Sequence, residues 1–161
     1  MDFAGVYQRY GRDVFRFALY LSGNYAEAQD IAAETFARAW VARDQIRVGT
    51  VKAYLLMIAR NLYRDQVRAS VSRESSTRDV SESIDTAAGP ETAARDRQRL
   101  ATVLAALARL KERDRAALTM AAMEGLPYEQ IAAALHVSVG SVKVLVHRAR
   151  VKLNRLLDGK E

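Results

Sequence analysis

Tyr128-Glu129-Gln130-Ile131-Ala132-Ala133-Ala134-Leu135, then His136-Val137-Ser138, then the long basic run from Val139 to Leu156, decide how this chain is read. The first stretch suits a short helix that ends in small residues. His136-Val137-Ser138 reads as a turn, and Ser138 is placed to N-cap the next helix. In the last stretch Val142, Val146, Ala149, Leu153 and Leu156 recur at helical spacing and form a core stripe. A short helix, a tight turn and a longer basic helix make a helix-turn-helix, the geometry that lays its second helix in the DNA major groove. Ala132 is small where the two helices must cross, and Val137 can plug their junction. With about 3.6 residues per turn, that stripe turns Gly140, Val144, His147, Arg148 and Val151 outward, flanked by Ser141 and Lys143. Lys143, His147 and Arg148 carry donors for phosphates or base edges, and Val144 can touch a thymine methyl. Ser138 and the helix N-terminus suit a phosphate, and Arg150, Lys152 and Arg155 suit the backbone further along. A basic solvated helix in an ordinary bundle is the bland alternative. The turn spacing and the outward valine argue against it.

Working outward, the rest of the chain is helical too. Alanine, leucine and arginine dominate the 161 residues, only two prolines occur, and alternating β-branched runs are missing. Leu100, Val103, Leu104, Leu107 and Leu110 predict a helix, and Arg115 to Met123 another, closed by Gly125. Upstream, Ser70 to Pro90 is rich in Ser, Thr and Asp and lacks apolar periodicity, so it reads as a flexible linker. Pro90 followed by Glu91 suits the first turn of a new helix. Three or four helices precede the linker. Phe3, Val6, Tyr7, Tyr10, Val14, Phe17, Ala18 and Leu21 mark one, broken by Ser22-Gly23-Asn24. Ala28, Ile31, Ala32, Thr35, Phe36, Ala39 and Trp40 mark a second. Val51, Leu55, Ile58 and Leu62 mark a third, with Thr50 as a candidate N-cap. The fold class is therefore all-α, two small helical domains joined by a linker, divided as 1–69, 70–92 and 93–161.

Charge follows the same division. Residues 1–69 carry net +3, residues 70–94 net −3 and residues 95–161 net +6. Two basic lobes flanking an acidic strip favour a polyanionic partner. The absence of cysteine excludes disulfides and thiolate metal sites. The N-terminus has no basic segment followed by an apolar run, and no stretch approaches a membrane span, so a soluble, cytoplasmic protein without membrane insertion is expected. His136 and His147 lack carboxylate partners at ligand spacing, so no metal is expected. No glycine-rich phosphate loop or nucleophile motif points to an enzyme.

The second helix has an unusual outward face. Asp30 and Glu34 sit one turn apart beside Ala33, Ala37 and Val41. Small apolar residues mixed with acids suit docking of a basic partner helix better than plain solvation. On the third helix Tyr54, Asn61, Asp65 and Arg68 share one strip beside the core, with Arg60 and Arg64 pointing further out. Such polar groups either satisfy each other or form a pocket that reads an exposed base, with arginines on the backbone.

Here the residues resemble a known family. Asp30-Ile31-Ala32-Ala33-Glu34-Thr35-Phe36-Ala37-Arg38-Ala39-Trp40 resembles the core-binding helix of extracytoplasmic-function (ECF) sigma factors, the small members of the sigma-70 family. Tyr54-Leu55 through Ile58-Ala59-Arg60-Asn61, with Asp65 and Arg68, resembles their −10 reading helix. Leu107 to Arg115, Glu124-Gly125-Leu126-Pro127-Tyr128-Glu129-Gln130-Ile131-Ala132, and Ser138-Val139-Gly140-Ser141-Val142-Lys143 through His147-Arg148-Ala149-Arg150 resemble their −35 domain. Ala33 and Tyr54 stand where the family usually has glutamine and tryptophan, and the loop from Asp44 to Thr50 is short.

The resemblance implies a region 2-like bundle, a region 4-like helix-turn-helix and a dissociable subunit of bacterial RNA polymerase with no cofactor and no catalysis of its own. It implies core-polymerase contacts from Asp30, Glu34, Ala37 and Val41 to the β′ clamp coiled-coil, with a second contact to the β flap. It implies −10 contacts from Tyr54, Arg60, Asn61, Arg64, Asp65 and Arg68. It implies −35 contacts from Ser138, Gly140, Ser141, Lys143, Val144, His147, Arg148 and Arg150. An anti-sigma factor is an implied partner, as is promoter DNA. The promoter elements would lie roughly 17 base pairs, or about 58 Å, apart. A coil of about 22 residues spans about 26 Å root-mean-square and about 75 Å fully extended, so it bridges them only when held open. The alternative reading is a conventional helix-turn-helix regulator, which would need a sensing or dimerising lobe where residues 1–69 show a docking face.

Overall fold

The computed structural model describes residues 2–72 and 90–159. Among them every regular element is helical: α1 (Phe3–Ser22), α2 (Tyr25–Val41), α3 (Val51–Ser72), α4 (Pro90–Ala108), α5 (Glu112–Leu118), α6 (Tyr128–Leu135) and α7 (Val139–Leu157). Most of the linker expected from the sequence, residues 73–89, lies outside the described residues. Its ends differ from the expectation. Ser70, Val71 and Ser72 complete the last turn of α3, and α4 begins at Pro90, in the first-turn position read for it, so residues 90–92 are helical rather than linker.

Local chemistry sets the helix ends. Gly23 takes the left-handed conformation at the end of α1 (φ 67°) and its N–H bonds to Leu19 O, while Asn24 Oδ1 accepts from Glu27 N at 2.9 Å to start α2. A two-residue break leaves α1 and α2 packed side by side. Thr50 does not cap α3. It closes a short 3₁₀ turn, Val48–Thr50, that runs directly into the helix, and its hydroxyl donates back to Arg47 O. Beyond α5 the helix widens into a π turn, Thr119–Met123. Glu124 N bonds to Thr119 O at 3.0 Å, five residues back, and Gly125 ends the turn at φ 67°.

Apolar burial builds one continuous core. Val14, Phe17, Ile31, Leu55 and Leu56 fill the N-terminal lobe, and Leu107, Met120, Ile131, Val142 and Val146 fill the C-terminal lobe, all essentially fully buried. Each such side chain contributes about 1.5–3 kcal/mol. The two lobes meet along α1 and α3 on one side and α4, α5, the π turn and α6 on the other.

Charged residues seal that seam. Glu124, whose side chain is 0% exposed, accepts from Arg16 Nε at 2.9 Å and Arg16 Nη2 at 2.7 Å. Lys52 Nζ donates to Glu124 O at 2.8 Å and stands 3.3 Å from its carboxylate. Asp13 completes the cluster, 2.8 Å from Arg16 and 3.5 Å from Lys52. The hydrogen bond to Glu124, opposed in part by desolvation, raises the Arg16 pKa further above its ordinary value. Toward the other end Arg60 donates to both Glu112 oxygens at 2.9 and 2.8 Å. Arg115 is buried; it donates to Leu107 O at 3.3 Å, Leu110 O at 3.1 Å and Tyr63 Oη at 3.0 Å, so it holds one carbonyl of the last turn of α4 and one of the turn that follows while crossing to α3.

Candidate nucleic-acid and partner interfaces

The helix-turn-helix forms as read. The axes of α6 and α7 turn by 96°, within the range of the DNA-reading motif. His136 closes α6 in the left-handed conformation (φ 58°), and Val137 N bonds back to Ala132 O at 3.0 Å. That pairing is a Schellman motif, usually closed by glycine. Ser138 Oγ accepts from Ser141 N at 3.1 Å and caps α7. Val142, Leu145, Val146 and Ala149 face the core. Ser138, Gly140, Ser141, Lys143, Val144, His147, Arg148 and Arg150 are all exposed, and Val144 stands out at 60%. These residues occupy one surface of α7 that the N-terminal lobe leaves uncovered.

Arg148 is exposed but not loose. Its Nε and Nη2 donate to the two oxygens of Asp114 on α5 at 2.8 and 2.7 Å. Asp114 is buried beneath it, and their hydrogen bond is the main cause of a raised Arg148 pKa.

On α2, Asp30, Glu34, Ala37 and Val41 are exposed together with Ala33. Glu34 pairs with Arg38 at 3.1 Å across one turn, an exposed contact of little energetic weight. Trp40, placed in the core stripe by its spacing, is instead 49% exposed at the helix end. Phe3 packs edge-on against it, and the Arg43 guanidinium lies 3.9 Å from its ring centroid. A groove of about 530 Å³ between α1 and α2, lined in part by Tyr7, Phe15, Ala33 and Phe36, adjoins this face.

On α3, Tyr54 is half-buried, and Asn61, Asp65 and Arg68 are exposed along one strip, with Arg68 3.6 Å from Asp65. Arg60 corrects the sequence reading. It does not point outward; it is 3% exposed and held in the seam by Glu112. Arg64 is half-buried, its Nε 3.8 Å from the same carboxylate. No group of three or more histidines, cysteines or acids that could hold a metal occurs among the described residues. No single described helix is long and apolar enough to cross a membrane.

Two family models match the sequence of this chain. Residues 6–73 match Sigma-70 region 2, and residues 100–153 match Sigma-70, region 4. The sigma factor EcfG of Rhodopseudomonas palustris is 34% identical, over 90% of this chain and 80% of its own length. The chain belongs to the ECF sigma factors of the sigma-70 family. SigE of Mycolicibacterium smegmatis is 35% identical over 89% of the chain, and BldN of Streptomyces coelicolor 31% over 96%. The chain spans 57% of the length of SigE and 60% of BldN. Among solved structures, the sigma factor RpoE of Bartonella quintana, crystallised with the anti-sigma factor NepR, superimposes with a TM-score of 0.82 at 26% identity over 99% of both chains. CnrH, in complex with the cytosolic domain of CnrY, shares the fold at TM-score 0.70 and 24% identity.

Proposed function

We propose that this ECF sigma factor is a dissociable specificity subunit of bacterial RNA polymerase, which brings the core enzyme to promoters and helps initiate transcription. The observation that carries this reading is the presence of both sigma regions in one chain, in order, with the α7 reading surface open. Residues 1–69 serve as the region 2 domain, 70–92 as the connection and 93–161 as the region 4 domain. Asp30, Glu34, Ala37 and Val41 dock on the β′ clamp coiled-coil, and the region 4 domain on the β flap. Tyr54, Asn61, Asp65 and Arg68 take the −10 strand, joined by Arg60 and Arg64 once Glu112 releases them. The α7 surface reads the −35 duplex. The chain acts by recognition in the cytoplasm; bond making belongs to the polymerase.

The seam supplies a mechanism of control. Lobes joined by contacts of 2.7–2.9 Å cannot place their reading surfaces about 58 Å apart. Promoter engagement therefore requires the lobes to part, with polymerase and DNA contacts offsetting those lost. The likeness to RpoE in its anti-sigma complex supports a closed form of the kind an anti-sigma factor holds.

Run-off transcription with core polymerase on a library of promoter fragments tests the reading. Discrete start sites that appear only with this chain support it. Sequence-specific duplex binding by the chain alone, with no gain in polymerase activity, replaces it with a conventional regulator.

A further inference from the structure

The geometry points to Asp114 as the positioning residue that fixes Arg148 to read a guanine in the −35 major groove. The inference rests on the promoter-reading role of α7 proposed above. A guanidinium has five N–H donors in a planar fork. Asp114 takes two of them, Nε–H and one Nη2–H, through both carboxylate oxygens at 2.8 and 2.7 Å. That is the side edge of the fork. The end edge, formed by Nη1 and the second Nη2 proton, makes no other hydrogen bond among the described residues. The side chain is 52% exposed while Asp114 beneath it is 7% exposed. The carboxylate is thus a buried anchor on α5, and the free edge is presented outward on α7, one turn beyond the exposed Val144.

Two parallel donors on a fixed plane match guanine O6 and N7, the commonest specific arginine contact. An unanchored arginine samples many rotamers and is drawn to the nearest phosphate as readily as to a base edge. The ion pair opposes both tendencies. It removes rotamer freedom before DNA arrives, and it cancels most of the net charge that would favour a phosphate. Arg148 is therefore a base reader, and Lys143 and Arg150, which lack such a partner among the described residues, are left to the backbone.

The test is selection of a randomised −35 element by the full chain bound to core polymerase, with Asp114→Ala, Asp114→Asn, Arg148→Ala and wild type compared. Wild type is expected to prefer guanine at one −35 position by about 5- to 150-fold, the discrimination of one bidentate pair. Arg148→Ala and Asp114→Ala both lose that preference at that position, and the double variant loses no more. Asp114→Ala also binds with a steeper salt dependence than wild type, because the released arginine gains a phosphate. Asp114→Asn keeps one acceptor and falls between, and it serves as the readout should Asp114→Ala fail to fold. The proposal is overturned if the Asp114 variants weaken every −35 sequence by the same factor, or if removing Arg148 leaves all base preferences unchanged. Failure of the sigma reading itself looks different: wild type selects nothing with core polymerase. The same library is then selected by the chain alone, with the same outcomes expected.

Discussion

Replacing Glu124 with glutamine should shift the chain from its closed form toward an open one. The carboxylate accepts two hydrogen bonds from Arg16 and stands 3.3 Å from Lys52. Charge-assisted hydrogen bonds contribute about 1.5–3 kcal/mol, and stripping one partner from a fully buried pair costs about 3–5 kcal/mol. The full penalty does not apply, because both cations retain Asp13 and Arg16 is 40% exposed to water. Glutamine also keeps a neutral acceptor. The expected loss is about 1–2 kcal/mol, a shift of about 5- to 30-fold in the ratio of open to closed chains. The chain has no cysteine, so cysteines introduced at the exposed positions Gln8 and Lys152 accept a donor and an acceptor dye without competition. Energy transfer between them should fall in Glu124→Gln, and less salt should be needed to lower it further. Glu112→Gln, at the far end of the seam, should act in the same direction and add to it. Wild-type transfer and wild-type salt response in both single variants and in the pair would refute the reasoning.

Asp30→Arg reverses the charge on the exposed α2 face proposed to dock on core polymerase. It should abolish start sites in run-off transcription while −35 duplex binding by the chain is unchanged. His136→Gly relieves a left-handed residue that carries a Cβ; it should raise stability by about 1 kcal/mol in urea denaturation. Arg115→Met removes a buried donor from Leu107 O, Leu110 O and Tyr63 Oη, and should cost about 2–4 kcal/mol in the same assay, with Tyr63→Phe costing less.

What was legible in the sequence was local. The Ser138 cap and the Val142, Val146 and Ala149 stripe depend on neighbours within one or two turns, and so does the Gly23-Asn24 break. Periodicity gives the angular position of a side chain on its helix and nothing about what arrives from elsewhere. Arg60 meets Glu112 from across 52 residues, and Arg148 meets Asp114 from across 34. Each was readable as a cation on an outer face, and its partner was not. Trp40 failed for a different reason. It lies at the stripe's edge in the last turn of α2, where the core has ended and Arg43 curls back to cover the ring. Gly125 announced a helix end, but no residue pattern announced the π turn before it.

That turn has a meaning for how such a chain tolerates insertions and deletions. Thr119–Met123 holds one residue more than an α-helix would need over the same path. Elsewhere in a helix, losing a residue rotates everything downstream by about 100° and breaks its packing. Here a deletion at the exposed Ala122 can be absorbed by tightening the wide turn into ordinary helical bonding, with Gly125 free to re-close it. Glu124, just past the turn and held by Arg16 and Lys52, would keep its place in the seam. Length variation among chains of this architecture is therefore expected at this turn, with the packing of α6 against α7 kept.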